Sequence, residues 1–222
     1  GTTPKTQAQF ASGEVAFLLQ GNRSEPVWGQ TLTGESPQAL PVLGGAKVYQ
    51  TTPCTAGYSN TPVQPLDHTY TTDGVCKRCG AWEPAEQVTE DGYSYYKITN
   101  QGQLYWFANQ VNTVNSSINA KLTADITLNS NVLNENGELN TGANFTPWTL
   151  IGTNTKPFTG TFDGNNKTIS GLYFNDSGKD DVGLFGCVGT NGTVKDVTLA
   201  DSYVSGNNSV GGICGMNNGG TV

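Results

Sequence analysis

The last third of the chain repeats itself. Val182-Gly183-Leu184-Phe185-Gly186 returns 28 residues later as Val210-Gly211-Gly212-Ile213-Cys214, and Gly192-Thr193-Val194 returns at the same offset as Gly220-Thr221-Val222. Upstream, the run Thr168 to Phe174 matches Thr193 to Leu199 at an offset of 25. A period of this size marks solenoids, propellers and arrays. The apolar residues alternate within each unit (Ile169, Leu172, Phe174; then Val194, Val197, Leu199), and Gly and Asn break the runs. Such segments read as strands. One unit is too small to bury its apolar face alone, so neighbours must stack. The predicted fold is mainly β: a right-handed parallel β-helix fragment with one repeat per coil. In-register columns are expected at Ile169/Val194/Val222, Leu172/Val197 and Phe174/Leu199. Gly183, Gly186 and Gly211 are expected in turns, with Phe162, Leu184, Phe185 and Ile213 buried.

The same residues resemble a known family. Val182-Gly183-Leu184-Phe185-Gly186 and Val210-Gly211-Gly212-Ile213-Cys214-Gly215 resemble the GLUG motif of bacterial surface proteins. Trp148-Thr149-Leu150-Ile151-Gly152 and Phe158-Thr159-Gly160-Thr161-Phe162-Asp163-Gly164 look like the segment that precedes such repeats. The likeness covers about residues 95–222, judged by motif order. It implies a repeat fold in a secreted or wall-attached setting, as in adhesin-like proteins and some immunoglobulin-A peptidases. It brings no active site, because the motif is structural.

Composition agrees with a turn-rich β protein. Glycine contributes 29 of 222 residues, and only 13% of residues are charged. An average soluble domain carries roughly 25% charged residues, so Asn, Thr, Ser and Gln must supply the surface polarity. A net charge of −7 offers no basic patch to displace counterions, which argues against nucleic acid as a partner. No stretch approaches the roughly 20 apolar residues of a membrane helix, so no membrane insertion is expected. The chain starts at Gly1 without Met, and Val222 falls inside a repeat. Both are expected of a piece excised from a longer protein.

Three regions are predicted: a short α+β segment at 1–50, a Cys/His connector at 51–92, and a capping helix with repeats at 93–222. In the first, residues 7–20 place Phe10, Phe17 and Leu18 on one helical face, with Gly21-Asn22 as the stop. Val27-Trp28, Leu40–Leu43 and Ala46–Gln50 read as short extended segments. In the third, Tyr93–Ile98 reads as a strand. Asn100 and Gln103 then form a capping box. Leu104, Phe107, Ala108 and Val111 follow at helical spacing, placing a helix near 101–112 as a lid on the first coil. Leu122–Leu128 reads as the next strand.

The strongest chemical signal is Cys54, His68, Cys76 and Cys79, where Cys76-Lys77-Arg78-Cys79-Gly80 forms a Cys-x-x-Cys turn and His68 is the chain's one histidine. Two thiolates on one turn, a third Cys and a His match a structural Cys₃His zinc site. From Cys54 to Trp82 there is little hydrophobic periodicity, so metal binding would supply the folding energy. Disulfides (Cys76–Cys79 or Cys54–Cys76) are the alternative in a secreted chain, and free thiols a third. The stretch over residues 7–50 also resembles a connector between repeat arrays in gut-bacterial surface proteins, and that resemblance places a His and Cys-x-x-Cys-Gly in the same connector. A thioredoxin-type redox role does not fit, because Ala81-Trp82-Glu83-Pro84 follows the turn where a helix is required.

Other candidates have plain readings. Cys187 and Cys214 are one position out of register and read as small buried residues. Asp176, Asp180, Asp181, Asp196 and Asp201 lack the His or Arg partners of a pectin-cleaving site, and read as solvated charges. Tyr93, Tyr95, Tyr96, Tyr105 and Trp106 would suit a sugar-binding platform, but packing explains them as well. There is no His-Glu-x-x-His, no Gly-x-Ser-x-Gly and no phosphate loop, so no catalytic residue and no enzyme activity are expected. The predicted function is a non-catalytic repeat module of a secreted or cell-surface bacterial protein, adhesive or stalk-forming. Its partner is a host or bacterial surface protein or a glycan. Two alternatives stand beside it: an accessory region of a large peptidase or glycan-degrading enzyme whose catalytic domain lies outside this chain, and a carbohydrate-binding module.

Overall fold

In the computed structural model, residues 4–20, 28–32, 37–50, 58–59 and 68–222 are described. The protein is mainly β. It divides into two compact units, Gly1–Thr69 with Cys76–Ala81, and Tyr70–Val75 with Trp82–Val222.

The first unit starts with two helices, α1 (Gln7–Ala11) and α2 (Glu14–Gln20), in place of the single helix predicted over 7–20. Thr6 caps α1: its Oγ1 accepts from the Gln9 N–H at 3.3 Å, and its own N–H donates to the Gln9 side chain at 2.9 Å. Ser12 and Gly13 break the path, so the predicted face is lost. Val15 and Ala16 turn inward, while Leu18 is 56% exposed. The predicted stop at Gly21-Asn22 and the residue Val27 lie outside the described residues. Two antiparallel pairs follow, β1 (Trp28–Gly29) with β2 (Val42–Leu43) and β3 (Tyr49–Gln50) with β4 (Tyr58–Ser59). Strands of two residues bury little, and side-chain amides reinforce them. The buried Gln20 amide donates to the Val48 carbonyl and accepts from the Val48 N–H, as a strand neighbour would. The buried Gln30 amide donates to the carbonyls of Phe10 and Gln38.

The second unit is built on strands. A hairpin of β5 (Glu86–Glu90) and β6 (Tyr93–Ile98) turns at Asp91-Gly92, both at positive φ (51° and 79°), as a tight hairpin turn prefers. Helix α3 (Gln101–Thr113) follows. Asn100 accepts from the Gln103 N–H at 2.9 Å. The predicted capping box is only half made, because the Gln103 side chain accepts from Thr99 N–H and Oγ1 instead. Leu104, Phe107, Ala108 and Val111 are all fully buried, as their spacing predicts. The strand predicted over 122–128 is two pieces, β7 (Ala120–Leu122) and β8 (Ile126–Thr127).

The remaining strands are β9 (Thr161–Ser170), β10 (Tyr173–Asn175), β11 (Phe185–Gly189), β12 (Thr193–Ala200), β13 (Tyr203–Ser205) and β14 (Cys214–Asn218). The main sheet runs β12-β9-β7-β6-β5, with β8 also on β9, and all its pairs except β5–β6 are parallel. Two further parallel pairs are β10–β13 and β11–β14. In the last third, each parallel pair joins residues about 30 positions apart, the size of one repeat.

The registers correct the predicted columns. Val194 pairs with Phe162, Leu199 with Ile169, Val197 with Lys167 and Phe174 with Val204. The matches at offset 28 hold in part: Val182 bridges Val210 and Thr193 bridges Thr221, but β11 and β14 pair one residue further on, with Phe185 opposite Cys214. The offset of 25 failed because alternating β-branched runs look alike at many offsets. In addition, β9 and β12 change register at a bulge between Lys195 and Val197. Cys187 pairs with Met216 and Cys214 with Phe185, further apart in register than expected.

The glycine expectation is also corrected. Gly183, Gly186 and Gly211 are not at positive φ, and Gly186 is a strand residue of β11. What Gly186 provides is closeness: a Cβ there would meet the Gly152 carbonyl oxygen at 2.6 Å and the Asp181 oxygen at 3.1 Å. The core inside is aromatic and aliphatic. Phe162, Leu184 and Phe185 are fully buried, Ile213 is partly buried against them, and Phe107 stacks by its edge near Phe158 with centroids 6.1 Å apart.

Candidate metal centre

The Cys-x-x-Cys segment folds as a tight loop in the first unit. The Cys76 N–H donates to the Ala81 carbonyl at 2.8 Å, and the Gly80 N–H donates back to the Cys76 carbonyl at 2.9 Å. Gly80 sits at φ +71°, where a side chain would be strained. The Lys77 N–H donates to the Thr69 carbonyl at 3.0 Å, which ties the loop to the residue after His68. A short local hydrogen-bond network thus brings together residues from two stretches of sequence.

The result is a three-donor cluster. One ligand atom each from His68, Cys76 and Cys79 lies within 4.8 Å of the others. Cys79 Sγ is 3.5 Å from His68 Nδ1. Zinc with S at about 2.3 Å and N at about 2.0–2.1 Å has donor–donor edges of roughly 3.5–3.8 Å, so this pair fits the edge of a zinc tetrahedron. Cys76 is buried and Cys79 is exposed, and both are free cysteines. The donor set suits a soft or borderline cation. Cys54, the predicted fourth ligand, lies outside the described residues.

The other candidates separate by burial. Tyr105 is 3% exposed and stacks on Trp82 at 4.4 Å, and burial pushes its phenol pKa up to about 12. Tyr96 and Trp106 pack edge-on at 5.0 Å against the core. Tyr93 keeps an open ring, at 48% exposure. The acidic residues mostly serve the backbone. Asp201 accepts from the N–H groups of Val132 and Leu133, and Asp180 from that of Asn208. Cys187 is fully buried and Cys214 partly so, and burial raises both thiol pKa values, with Asp181 adding to the effect. The sequence reading missed Gln20 and Gln30 as buried linchpins; nothing in the sequence distinguishes them from surface glutamines.

No family model matches the chain, and no solved structure matches it. Over 126 residues, 57% of its length, it is 36% identical to a protein named halomucin from Haloquadratum walsbyi. Over 58 residues, 26% of its length, it is 36% identical to a protein of Evansella cellulosilytica described as a Gly-rich membrane protein. These matches span 1% and 7% of the two relatives.

Proposed function

We propose that this chain is a non-catalytic repeat module of a secreted or cell-surface bacterial protein, of adhesive or stalk-forming type. Its second unit is read as a right-handed parallel β-helix of GLUG-type repeats, with α3 covering one end of the core. The observation that carries this is the recurrence of parallel pairing at one repeat spacing. Tyr173 pairs with Tyr203, Phe185 with Cys214, and Thr193 with both Thr161 and Thr221. Three separate parallel pairs with spacings close to one repeat, around one core, are what stacked coils require. The relatives support the setting: one is named halomucin and the other is described as a Gly-rich membrane protein. The His68, Cys76 and Cys79 cluster is read as a structural zinc site that holds the first unit together.

Surface labelling of intact source cells with an antibody against this chain tests the setting. Labelling without permeabilisation is expected; signal only after lysis would end the reading. Beads coated with folded chain should adhere to bacterial or host cells more than beads coated with heat-denatured chain.

A further inference from the structure

The outward face of the main sheet carries a groove of about 440 Å³. Its walls include Glu90, Tyr93, Tyr95, Lys121, Asp163 and Lys195. The pairing register explains how they meet. Ala120, Phe162 and Val194 pair in a row and point inward. Their neighbours Lys121, Asp163 and Lys195 therefore form the adjacent outward row, with an acid between two bases. Lys195 Nζ lies 3.2 Å from Asp163 and 3.7 Å from Asp196. The Asp163 carboxylate holds the Lys195 ammonium above its ordinary pKa, with Asp196 adding to the effect. At one end stands an aromatic wall. Tyr95 is only 6% exposed although it is not part of the main apolar cluster, and Lys121 Nζ sits 5.7 Å over its ring. Burial foremost, and then the Glu90 carboxylate, push the Tyr95 phenol pKa up. Tyr93 leans on this fixed ring, with centroids 6.2 Å apart, and leaves its own ring 48% open.

We infer that this groove binds a neutral saccharide of one or two rings, with Tyr93 as the stacking platform and Asp163 and Lys195 as hydroxyl partners. A sugar ring has an apolar C–H face that suits an open aromatic, and hydroxyls that need both donors and acceptors. The groove supplies both kinds within one small volume, and its size is that of a small-molecule site. Lys195 is already held by Asp163 and Asp196, and the acids Glu90, Asp91 and Asp163 outnumber the bases Lys121 and Lys195 along the walls. An acidic ligand would have to displace an acid from Lys195 and face the others, whereas hydroxyl groups insert among them. That excess of acid favours a neutral glycan over an acidic one. The inference rests on the surface-module reading for the ligand's setting and deepens it by naming the partner's class.

The test uses the purified full chain, titrated by calorimetry with neutral oligosaccharides of glucose, galactose, mannose and N-acetylglucosamine. Polygalacturonate and an acidic peptide serve as competing classes. At least one neutral sugar should bind with a Kd of about 1 mM or tighter. Tyr93→Ala should weaken it about tenfold, and Asp163→Asn by a similar factor. Circular dichroism confirms that both variants are folded, and Tyr93→Phe should retain binding because the ring face is kept. Affinity should change less than about twofold between 50 and 500 mM salt, since no net charge is neutralised. Absence of neutral-sugar binding, binding indifferent to Tyr93→Ala, or binding only of the acidic polymers overturns the proposal. Surface labelling of cells is independent of each of these, so the two readings fail separately.

Discussion

The two units solve the problem of staying folded in opposite ways. The second buries a continuous set of large side chains, among them Phe107, Phe158, Phe162, Phe185 and Ile151, all fully enclosed. In the first, among the described residues, the buried apolar set is small: Val15, Ala16, Val48 and Cys76. There, the buried Gln20 amide pairs with the Val48 backbone as a strand would, the Gln30 amide ties the carbonyls of Phe10 and Gln38, and a Cys/His cluster closes a loop. One unit depends on area removed from water and the other on specific polar contacts. Mutations and ligands should therefore act on the two units separately.

The largest effect is expected from metal removal. Structural zinc in small domains supplies apparent binding energies of about 10–16 kcal/mol. A chelator, or His68→Ala, should abolish amide protection at His68, Thr69 and Cys76–Ala81 and leave β9 and β12 protected in hydrogen exchange. Elemental analysis should find about one zinc per chain. Less than about half an equivalent, with a Cys–Cys bond shown by mass spectrometry, would replace the site with a disulfide.

Next comes the core. Phe162→Ala removes a fully buried ring that meets Phe107 and Phe185, with centroids 5.9 and 5.3 Å away. It should cost about 3–5 kcal/mol in urea unfolding of the second unit. The first unit's exchange pattern should not change.

Gly186→Ala tests whether closeness, not a turn, sets the glycine. The added methyl has the Gly152 oxygen 2.6 Å away and must push backbone aside. A loss of about 1–3 kcal/mol is expected. A neutral result would return Gly186 to an ordinary strand position.

Alkaline pH should also act through the second unit. The Tyr105 phenol has its folded pKa raised to about 12 by burial, against about 10 unfolded. Between these values the unfolded chain releases its proton first, so stability is unchanged below pH 10 and falls from 10 to 12. The slope is about 1.4 kcal/mol per pH unit for this one group. Urea midpoints of the wild type and Tyr105→Phe, compared across that window, isolate its share.

The smallest effect is expected at the α3 cap. Asn100→Ala loses the bond to the Gln103 N–H and one to Glu83 at 2.6 Å. About 1 kcal/mol is expected, read as a modest shift in thermal midpoint.

Legibility followed the same division. In the second unit, alternation and the offset-28 matches identified strands, core residues and the buried face of α3. Burial of an apolar face leaves a periodic trace in sequence. The offset-25 columns were misread because period-2 patterns repeat at many offsets, and a bulge changes the register inside β9 and β12. In the first unit, Gln20 and Gln30 carried no trace, since a polar residue that pairs with backbone looks like any solvated one. The His68, Cys76 and Cys79 grouping was readable because Cys-x-x-Cys spacing is local, and ligand chemistry restricts residue type. The groove was not readable as a groove. Tyr93 and Tyr95 are two of five aromatics that the sequence offers together as a platform, with packing as the competing reading, but Lys121, Asp163 and Lys195 are far apart in sequence and meet only across paired strands.

By itself the sequence determined what depends on composition and local period: a mainly β chain, the internal repeat of its last third, the buried face of α3, and the grouping of His68 with Cys76 and Cys79. Only the tertiary structure decided what depends on pairing at a distance. That includes which strand residues face each other, why Gly186 must lack a side chain, and which charges share the outer face of the sheet. The physical reason is range. Alternation and ligand spacing are set within a few residues, whereas register is set by how bulges and side chains of separate strands fit together.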